Sequence, residues 1–527
     1  MPGYATPEGT GKYVAGILGH EGGGGPSANG FTLLGSTGLT TSRIGFGGYR
    51  IDVGIEDHRQ ALENALTKGC NLIDTSTNYA DGGSERLIGA VLKNLIRKGA
   101  LGREEIIVVS KIGYVQGQNL KRAEAREQAG QPFPDMVKYG DEIWHCLHPE
   151  YLEEQLTLSL DRLGLQTLDV CLLHNPEYFL SDAKNRQLTI DAERLAEIRG
   201  EFYRRLQQAF QYLETQVKSG RLRFYGVSSN TCTAKHDNPE STSASRMLEA
   251  AQAAAREQGL ENSHFCVIQL PMNMLEAGAL LTSNTGPTHT QTIIEFAQAN
   301  QLAVLVNRPL NAIPGKGEGI VRLADPQAET PNTNFETQLP KVSVLEQDYK
   351  RVLAPTIPKT EQGRPPSDFF NWAEELQRVR ESIHNLEHWD QIENQMIAPH
   401  LNHVFQLLTR HYAGKQEEEA IWESWKDRYV PELLTLLKVM RMEAAQKSAQ
   451  KISALRFLID PLLPESRRNE PFSRKAMWAL VSLPGVTCVL NGIRHPFYVQ
   501  DSLTVLQWPP LPESRLLFET LHKAQTT

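Results

Sequence analysis

Four side chains that could transfer a proton lie at or just beyond the ends of apolar segments. Asp74 ends the first of these segments, Lys111 and His174 directly follow two others, and Tyr79 lies five residues beyond Asp74. If the segments are parallel strands, their carboxyl ends meet at one edge, and we expect the four side chains to converge there. Such a group suits proton transfer to a substrate oxygen and needs no metal.

Each of the four residue types has a distinct part in that chemistry. Adding hydride to a carbonyl leaves an alkoxide that needs a proton, and free tyrosine, with a pKa of about 10, is a weak acid for this task. A neighbouring Lys111 ammonium is expected to lower the pKa of Tyr79, while Asp74 keeps Lys111 charged and in place. His174 is expected to donate a hydrogen bond to the substrate oxygen and orient it.

The elements that would position these residues are eight short apolar runs, most of them followed by a segment with helical spacing. Continuous apolar strands that alternate with helices predict a parallel sheet covered on both faces. Eight units favour a closed (β/α)8 TIM barrel over the alternative of an open doubly wound sheet, because no Gly-x-Gly-x-x-Gly loop follows the first strand. The predicted strands are 44–47, 71–76, 106–110, 168–173, 223–228, 265–270, 302–306 and 486–490.

Two polar stretches are harder to assign. Residues 116–144 are predicted to form a long loop after the third strand, and residues 178–199 a second one.

After the seventh strand the alternation stops, and residues 326–470 are predicted to form a mainly helical insertion between barrel segments 31–325 and 471–527. The first part of the insertion, rich in proline, is expected to be irregular, and helices are predicted over 369–386, 391–412, 417–445 and 449–462.

Composition narrows the function classes. The net charge of -8 gives no support to nucleic-acid binding, and the six cysteines lack the spacing of a zinc or redox motif, so we expect a cytoplasmic protein with reduced thiols. No apolar run is long enough for a membrane span. Residues 1–30 resemble neither a signal nor a transit peptide, and their glycine content predicts a flexible tail.

Three sequence blocks resemble the aldo-keto reductase superfamily over roughly 31–325 and 473–502. The family's Asp-Thr-Ala-x-x-Tyr-Gly-x-x-Glu block is similar to residues 74–85, and its Ser-Lys strand end to Ser110-Lys111. Its Ser-Leu-x-Arg-Leu-Gly block, which runs through an Asp to a His, is similar to residues 159–174. The resemblance implies a catalytic tetrad of Asp74, Tyr79, Lys111 and His174.

The same resemblance implies a nicotinamide dinucleotide across the barrel mouth, NADP(H) in preference to NAD(H). Ser228 and Gln269 match positions that hold the carboxamide, Arg308 is expected near the pyrophosphate, and Arg494 suits a 2′-phosphate. The full set implied for the cofactor is Gly48, Tyr49, Ser228, Ser229, Asn230, Gln269, Asn307, Arg308, Pro309, Leu310, Gly492, Arg494, Asp501 and Ser502.

The chain departs from the family pattern at three positions. Ser229 stands where Asn is usual, Met272 replaces a common Tyr, and Asn307-Arg-Pro-Leu310 replaces a frequent Tyr-Ser-Pro-Leu. The replaced Tyr of that last segment commonly stacks on the nicotinamide, so Asn307 leaves the identity of the stacking partner open.

Two functions follow as hypotheses. The first is an NADP-dependent reductase of an aldehyde or ketone, or the reverse reaction, with Tyr79 as the proton donor and a small carbonyl or alcohol substrate. The second is a cofactor-sensing regulatory protein that uses residues 326–470 as a docking surface for a protein partner. Within those residues, His384-Asn-Leu-Glu-His388 matches a His-x-x-Glu-His string, which we interpret as a solvated helix rather than a zinc site.

Overall fold

The computed structural model describes residues 1–19, 25–189, 191–313, 319–358 and 365–526, and it divides the chain into two compact units. The first unit comprises residues 1–310 and 473–527, and the second comprises residues 311–472. The sequence analysis placed the start of the insertion at residue 326, but the second unit begins at residue 311. The difference contains two short strands, Asn311–Ala312 and Val321–Arg322, which pair with each other in an antiparallel arrangement.

The first unit is built on a closed barrel of eight parallel strands, in the order β5-β6-β7-β8-β1-β2-β3-β4. This confirms the predicted (β/α)8 fold. Almost every strand residue is buried, which matches the continuous apolar runs of the sequence. The strands are β1 (Ile44–Gly47), β2 (Leu72–Asp74), β3 (Ile107–Ile112), β4 (Leu168–His174), β5 (Leu222–Ser228), β6 (Phe265–Pro271), β7 (Ala303–Asn307) and β8 (Cys488–Asn491).

A helix follows each strand and completes the alternation. Apolar residues at helical spacing give each helix a buried face, as in α2, where Leu87, Ile88, Val91 and Leu92 are all buried. The helices are α1 (Glu56–Thr67), α2 (Gly83–Arg97), α3 (Pro149–Leu163), α4 (Ala192–Lys218), α5 (Ala244–Glu257), α6 (Ile293–Ala299), α7 (Phe472–Val481) and α8 (Pro496–Thr504).

A hairpin precedes the barrel, and the predicted flexible tail ahead of it is wrong where the structure describes it. Strands Phe31–Leu33 and Thr40–Ser42 pair antiparallel. Ahead of them, a helix spans Pro7–Leu18, with Thr6 as its N-cap. Its Tyr13 is buried and donates a hydrogen bond of 2.8 Å to the Leu66 carbonyl. Residues 20–24, in the glycine run, lie outside the described residues.

Both stretches predicted to be loops contain regular structure. Residues 116–144 hold a helix, Gly117–Gln128, and two strands, Val137–Gly140 and Ile143–His145. Together with Tyr114–Val115 these strands form a small antiparallel sheet. Residues 178–199 hold helix Tyr178–Asn185 and the beginning of α4. The polar composition misled the prediction because both stretches lie on the surface and need few apolar residues. Short helix Gly278–Leu281 and C-terminal helix Ser514–Thr526 complete this unit.

The second unit is helical, as predicted, although its helices start and end at different residues. Its core packs Phe370, Trp422, Trp425 and Tyr429 with aliphatic side chains. The proline-rich first part, predicted to be irregular, contains helix Phe335–Val352, and two predicted helices merge into Gln416–Ile459, of 44 residues. The remaining helices are Trp372–Val379, Leu386–Ile392 and Ala398–Tyr412, with a π-helical turn at Glu393–Ile397. Across the described parts of both units, no helix is long and apolar enough to cross a bilayer.

Candidate active site

A buried ion pair joins the carboxyl ends of β2 and β3. The Lys111 ammonium donates to both carboxylate oxygens of Asp74, at 2.8 and 2.7 Å, and to the carbonyl of Thr75 at 2.8 Å. These three bonds use all three of its protons. Burial lowers the pKa of Lys111, and the Asp74 charge opposes that effect. The pair therefore supplies a fixed, enclosed cation–anion couple at the barrel mouth.

Tyr79 lies beside this pair, on a short 3-10 segment after β2. The turn is tight, since Ala80 and Asp81 adopt left-handed backbone angles, with φ of 48° and 51°. The Lys111 nitrogen is 4.9 Å from the centroid of the Tyr79 ring. The pKa of Tyr79 is raised well above its ordinary value, first by burial and then by the Asp74 charge. The net direction is therefore opposite to the predicted lowering by Lys111, because burial dominates and Lys111 donates all three of its protons to other groups.

His174 ends β4, and its imidazole faces Tyr79 edge to face at a centroid distance of 5.9 Å. Its Nδ1 lies 3.0 Å from the Ser76 hydroxyl, and its carbonyl oxygen lies 2.8 Å from the Nε2 atom of His145. Burial and the nearby Lys111 charge hold the pKa of His174 well below its usual range. The structure therefore brings all four predicted tetrad residues together, with His174 as a neutral imidazole.

A polar chain connects this group to three residues predicted to bind the cofactor. Gln269 on β6 donates a hydrogen bond of 2.7 Å to Asp74. The amide oxygen of Gln269 accepts from the Ser228 hydroxyl at 3.0 Å and from the Asn307 amide at 3.3 Å. The side-chain oxygen of Asn307 is buried and has no partner among the described residues, so it can accept a hydrogen bond from a ligand N–H.

The residues that follow β5 are fixed by a buried glutamate. The Asn230 backbone N–H donates to Glu177 at 2.6 Å, and the Ser229 hydroxyl lies 3.0 Å from that of Thr242. Burial raises the pKa of Glu177 to about 7. Its second carboxylate oxygen is buried without a partner. The segment predicted to contact the cofactor is thus held by a carboxyl that the sequence analysis did not select.

The segment after β7 is more constrained than the sequence suggested. Arg308 has a left-handed backbone, with φ of 53°, and its guanidinium forms an ion pair of 3.1 Å with Glu276. Burial lowers its pKa. Pro309 and Leu310 are buried beyond it. Arg308 therefore already has a carboxylate partner, which a pyrophosphate would have to share or replace.

The end of β8 carries the residues predicted for the adenosine phosphate. Gly492 and Arg494 are exposed, and Arg494 has no hydrogen bond or ion pair with the described residues. Asp501 accepts from Arg474 at 2.6 Å, and Ser502 accepts from the Asn491 amide at 2.9 Å. Arg494 is thus the free cation of this group.

Gly48 and Tyr49 follow β1 on the other side of Tyr79. A Cβ atom at Gly48 would lie 2.9 Å from the Asp74 carbonyl oxygen and 2.8 Å from the Ser84 hydroxyl, so the close approach of these segments requires glycine. The Tyr49 side chain is 63% exposed, and its ring meets the Tyr79 ring edge to face at 5.1 Å.

Sequence reasoning missed several residues of the site. Tyr114 packs 4.7 Å from the His174 ring, and its hydroxyl accepts a hydrogen bond of 2.7 Å from Asn175. His145 and Tyr178 stack beside it at 5.6 Å. Asn175 and Glu177 lie within three residues of His174 at the end of β4, and this position could have marked them as site residues. Tyr114 and His145 belong to the small antiparallel sheet, which was not recognised.

The described residues contain no cluster of three potential metal ligands. His384 and His388 do face each other, with ring centroids 5.6 Å apart, but they belong to the second unit and lack a third ligand there.

Comparisons with known proteins identify the family of this chain. Residues 43–385 match the model of the aldo/keto reductase family. A stretch of 150 residues is 33% identical to an NADH-specific methylglyoxal reductase of Escherichia coli K12, covering 27% of this chain and 40% of that protein. Another of 151 residues is 26% identical to a putative voltage-gated potassium channel subunit beta of Schizosaccharomyces pombe, covering 28% of this chain and 37% of that protein.

These matches span well under half the length of either relative. Among solved structures, an aldo-keto reductase from Bacillus halodurans in its holo form aligns with a TM-score of 0.43 and 15% identity, over 93% of this chain and 95% of that chain.

Proposed function

Because this chain belongs to the aldo/keto reductase family, we propose that it transfers hydride between a nicotinamide cofactor and the carbonyl carbon of a small aldehyde or ketone, or the reverse. Tyr79 is the proton donor of this proposal. The observation that carries it is the convergence of Tyr79 and His174 on the buried Asp74–Lys111 pair at the mouth of the barrel.

Each residue of the tetrad has a role that follows from its surroundings. The raised pKa of Tyr79 keeps its phenol protonated at neutral pH, which is the form that can donate. The Asp74–Lys111 ion pair lies beside the Tyr79 ring and holds the Lys111 ammonium 4.9 Å from the ring centroid. At that distance the ammonium favours the negative charge that develops on the phenol oxygen as the phenol gives up its proton. His174 is neutral and supplies a hydrogen-bonding imidazole to the substrate oxygen.

The cofactor residues of the proposal are those with polar atoms that have no partner among the described residues. Asn307, next to Gln269 and Ser228, offers an unpaired buried oxygen to a carboxamide N–H. Arg494 offers an exposed guanidinium to a phosphate, and such a contact favours NADP(H) over NAD(H). When bound, the nicotinamide ring supplies or accepts the hydride, and the chain's own residues hold the substrate and move the proton.

Titration of the purified protein with NADPH and with NADH, followed by tryptophan fluorescence, tests the cofactor half of the proposal. We expect tighter binding of NADPH. Arg494→Ala should weaken NADPH binding roughly 10-fold or more and leave NADH unchanged, because one charged hydrogen bond contributes about 1.5–3 kcal/mol. Arg515→Ala, on the C-terminal helix, is the matched control. Binding of neither cofactor would contradict the proposal, whereas a preference for NADH, as named for the Escherichia coli relative, would contradict only the role of Arg494.

A second candidate function is regulation through a protein partner that docks on residues 311–472. It is favoured by the separate, independently packed core of the second unit. The similarity to a putative potassium channel beta subunit also supports a function in which this chain binds a protein partner. In that case cofactor binding persists, and loss of the second unit abolishes partner binding without abolishing basal turnover.

A further inference from the structure

The turn that carries Tyr79 has an unfavourable backbone conformation. Three consecutive residues after Tyr79 have positive φ angles, 48° for Ala80, 51° for Asp81 and 82° for Gly82. Glycine tolerates this left-handed region, whereas the Cβ atoms of alanine and aspartate make it costly. Such strain persists only where surrounding contacts fix the backbone, and it is concentrated at functional sites. The position of Tyr79 therefore depends on the contacts that hold this turn.

The turn meets the beginning of helix Gly117–Gln128, in the stretch that follows β3. Oδ1 of Asp81 accepts a hydrogen bond of 3.0 Å from the backbone N–H of Gln118. On the other side of the tyrosine, the Asn78 side-chain amide donates to Oε1 of Gln116 at 2.9 Å. The residues before and after the tyrosine are thus both connected to the first turn of the same helix.

Asp81 provides an acceptor that this helix does not supply for itself. Gln116 occupies the N-cap position, and its side chain makes no capping hydrogen bond. The first N–H groups of a helix have no partner within it, and negative charge is favoured there by the helix dipole. The carboxylate of Asp81 therefore caps the helix from another element.

The contact between the turn and the helix leaves no room for a side chain at residue 117. Gly117 has a φ of 54°, and a Cβ atom there would lie 2.7 Å from Oδ1 of Asp81 and 3.0 Å from its carboxyl carbon. The Asp81 carbonyl oxygen accepts a hydrogen bond of 3.0 Å from the Arg86 guanidinium on α2. Both the backbone and the side chain of Asp81 are therefore held in place.

We propose that Asp81 is a positioning residue for Tyr79, which fixes the strained turn by capping helix Gly117–Gln128. The inference rests on the proposed function, in which Tyr79 is the proton donor. The contact between Asn78 and Gln116 reinforces the same arrangement. Residues 116–144, which contain none of the four tetrad residues, thus take part in the reaction by fixing the place of its acid.

Hydrogen–deuterium exchange of the full chain tests the capping contact without turnover. Asp81→Ala and Asp81→Gly both remove the acceptor and should speed exchange in residues 76–86 and 117–121 about 5-fold, as expected for one lost cap. Asp81→Asn keeps a side-chain oxygen and tolerates the left-handed region, so its exchange should match wild type. Asp141→Ala, at an exposed residue of the same stretch, is the control. Wild-type exchange in Asp81→Gly would overturn the proposal, because glycine relieves the strain and lacks only the cap.

Steady-state kinetics on a carbonyl substrate tests the link to Tyr79. In Asp81→Ala and Asp81→Gly, kcat should fall about 10-fold at unchanged KM and cofactor affinity, because a displaced acid slows the chemical step without weakening binding. Asp81→Asn should restore kcat, and Gln116→Ala should lower it. An unchanged kcat in Asp81→Gly, or no rescue by Asp81→Asn, would overturn the positioning role. Failure of the proposed function has a different signature, which is full activity in Tyr79→Phe together with the altered exchange of the Asp81 variants.

Discussion

At the scale of single residues, the environment of Tyr79 governs the proposed chemistry. Its ring is enclosed by Tyr49, His174 and the Lys111 ammonium. Lys111 gives no hydrogen bond to it, because Asp74 and Thr75 take all three protons. The cation therefore acts on Tyr79 across the ring, at a distance, rather than through a direct proton contact.

Tyr79→Phe removes the proposed acid while keeping the ring. Turnover should fall about 100-fold or more, the typical contribution of a positioned general acid, and cofactor affinity should stay the same. Steady-state kinetics on a carbonyl substrate with a parallel fluorescence titration measures both. Tyr212→Phe, on α4, is a matched control. Full activity in Tyr79→Phe would show that another group supplies the proton.

At the scale of elements, Glu177 links the segment after β4 to the segment after β5. Because burial raises its pKa to about 7, the folded state binds its proton more tightly than the unfolded chain does. Its contribution to stability is therefore fully present below the unfolded pKa of about 4.5 and is lost as the pH rises through about 7.

Glu177→Gln keeps an acceptor for the Asn230 N–H and removes the titration. Relative to wild type, the variant should gain about 2.5 kcal/mol in free energy of unfolding between pH 5 and pH 8, because most of the difference between the two pKa values falls within this range. Urea unfolding at the two pH values measures this change. The exposed Glu374→Gln should show no such pH-dependent gain. Equal effects at both pH values would mean that Glu177 does not titrate in this range.

The N-terminal helix Pro7–Leu18 is a second element whose contribution can be measured. The Tyr13 hydroxyl donates to the Leu66 carbonyl and accepts from the Gly69 N–H at 3.1 Å. Tyr13→Phe leaves both buried backbone groups unpaired, so unfolding free energy should fall by about 1–3 kcal/mol. Tyr4→Phe is the control, because the Tyr4 hydroxyl makes no hydrogen bond to the described residues. Unchanged stability in Tyr13→Phe would indicate that the helix does not hold this position in solution.

At the scale of the whole molecule, the division into two units separates the proposed chemistry from the helical domain. All eight strands, the four tetrad residues and the predicted cofactor residues belong to the unit of residues 1–310 and 473–527. The second unit has its own aromatic core. Because all eight barrel strands belong to the first unit, residues 311–472 contribute no strand to the closed barrel.

Replacing residues 311–472 with a short glycine-serine linker tests this independence. The shortened chain should unfold cooperatively and retain its affinity for cofactor. A changed range of accepted substrates would assign the second unit to the reaction, and an unchanged range would direct attention to a binding partner. Circular dichroism, cofactor titration and a carbonyl substrate panel give the three readouts. Loss of cooperative unfolding would show that the barrel depends on the second unit.

The sequence alone was sufficient for the architecture of the barrel. Strands buried on both faces must be apolar throughout, so β1 to β8 stand out as short continuous runs, and the polar residues at their ends identify the mouth. The tetrad was found in this way, and so was the interruption after β7. The small sheet around His145 and the helix Pro7–Leu18 were not found, because surface elements with polar composition carry little periodic signal.

What only the tertiary structure decided is the direction of each interaction within the site. The sequence placed a lysine, a phenol and an imidazole together but could not say where their protons lie. That depends on burial and on which acceptors are nearest: Asp74 and Thr75 for Lys111, and the His174 carbonyl for His145. These contacts join residues far apart in the chain, and their geometry exists only once the barrel has closed.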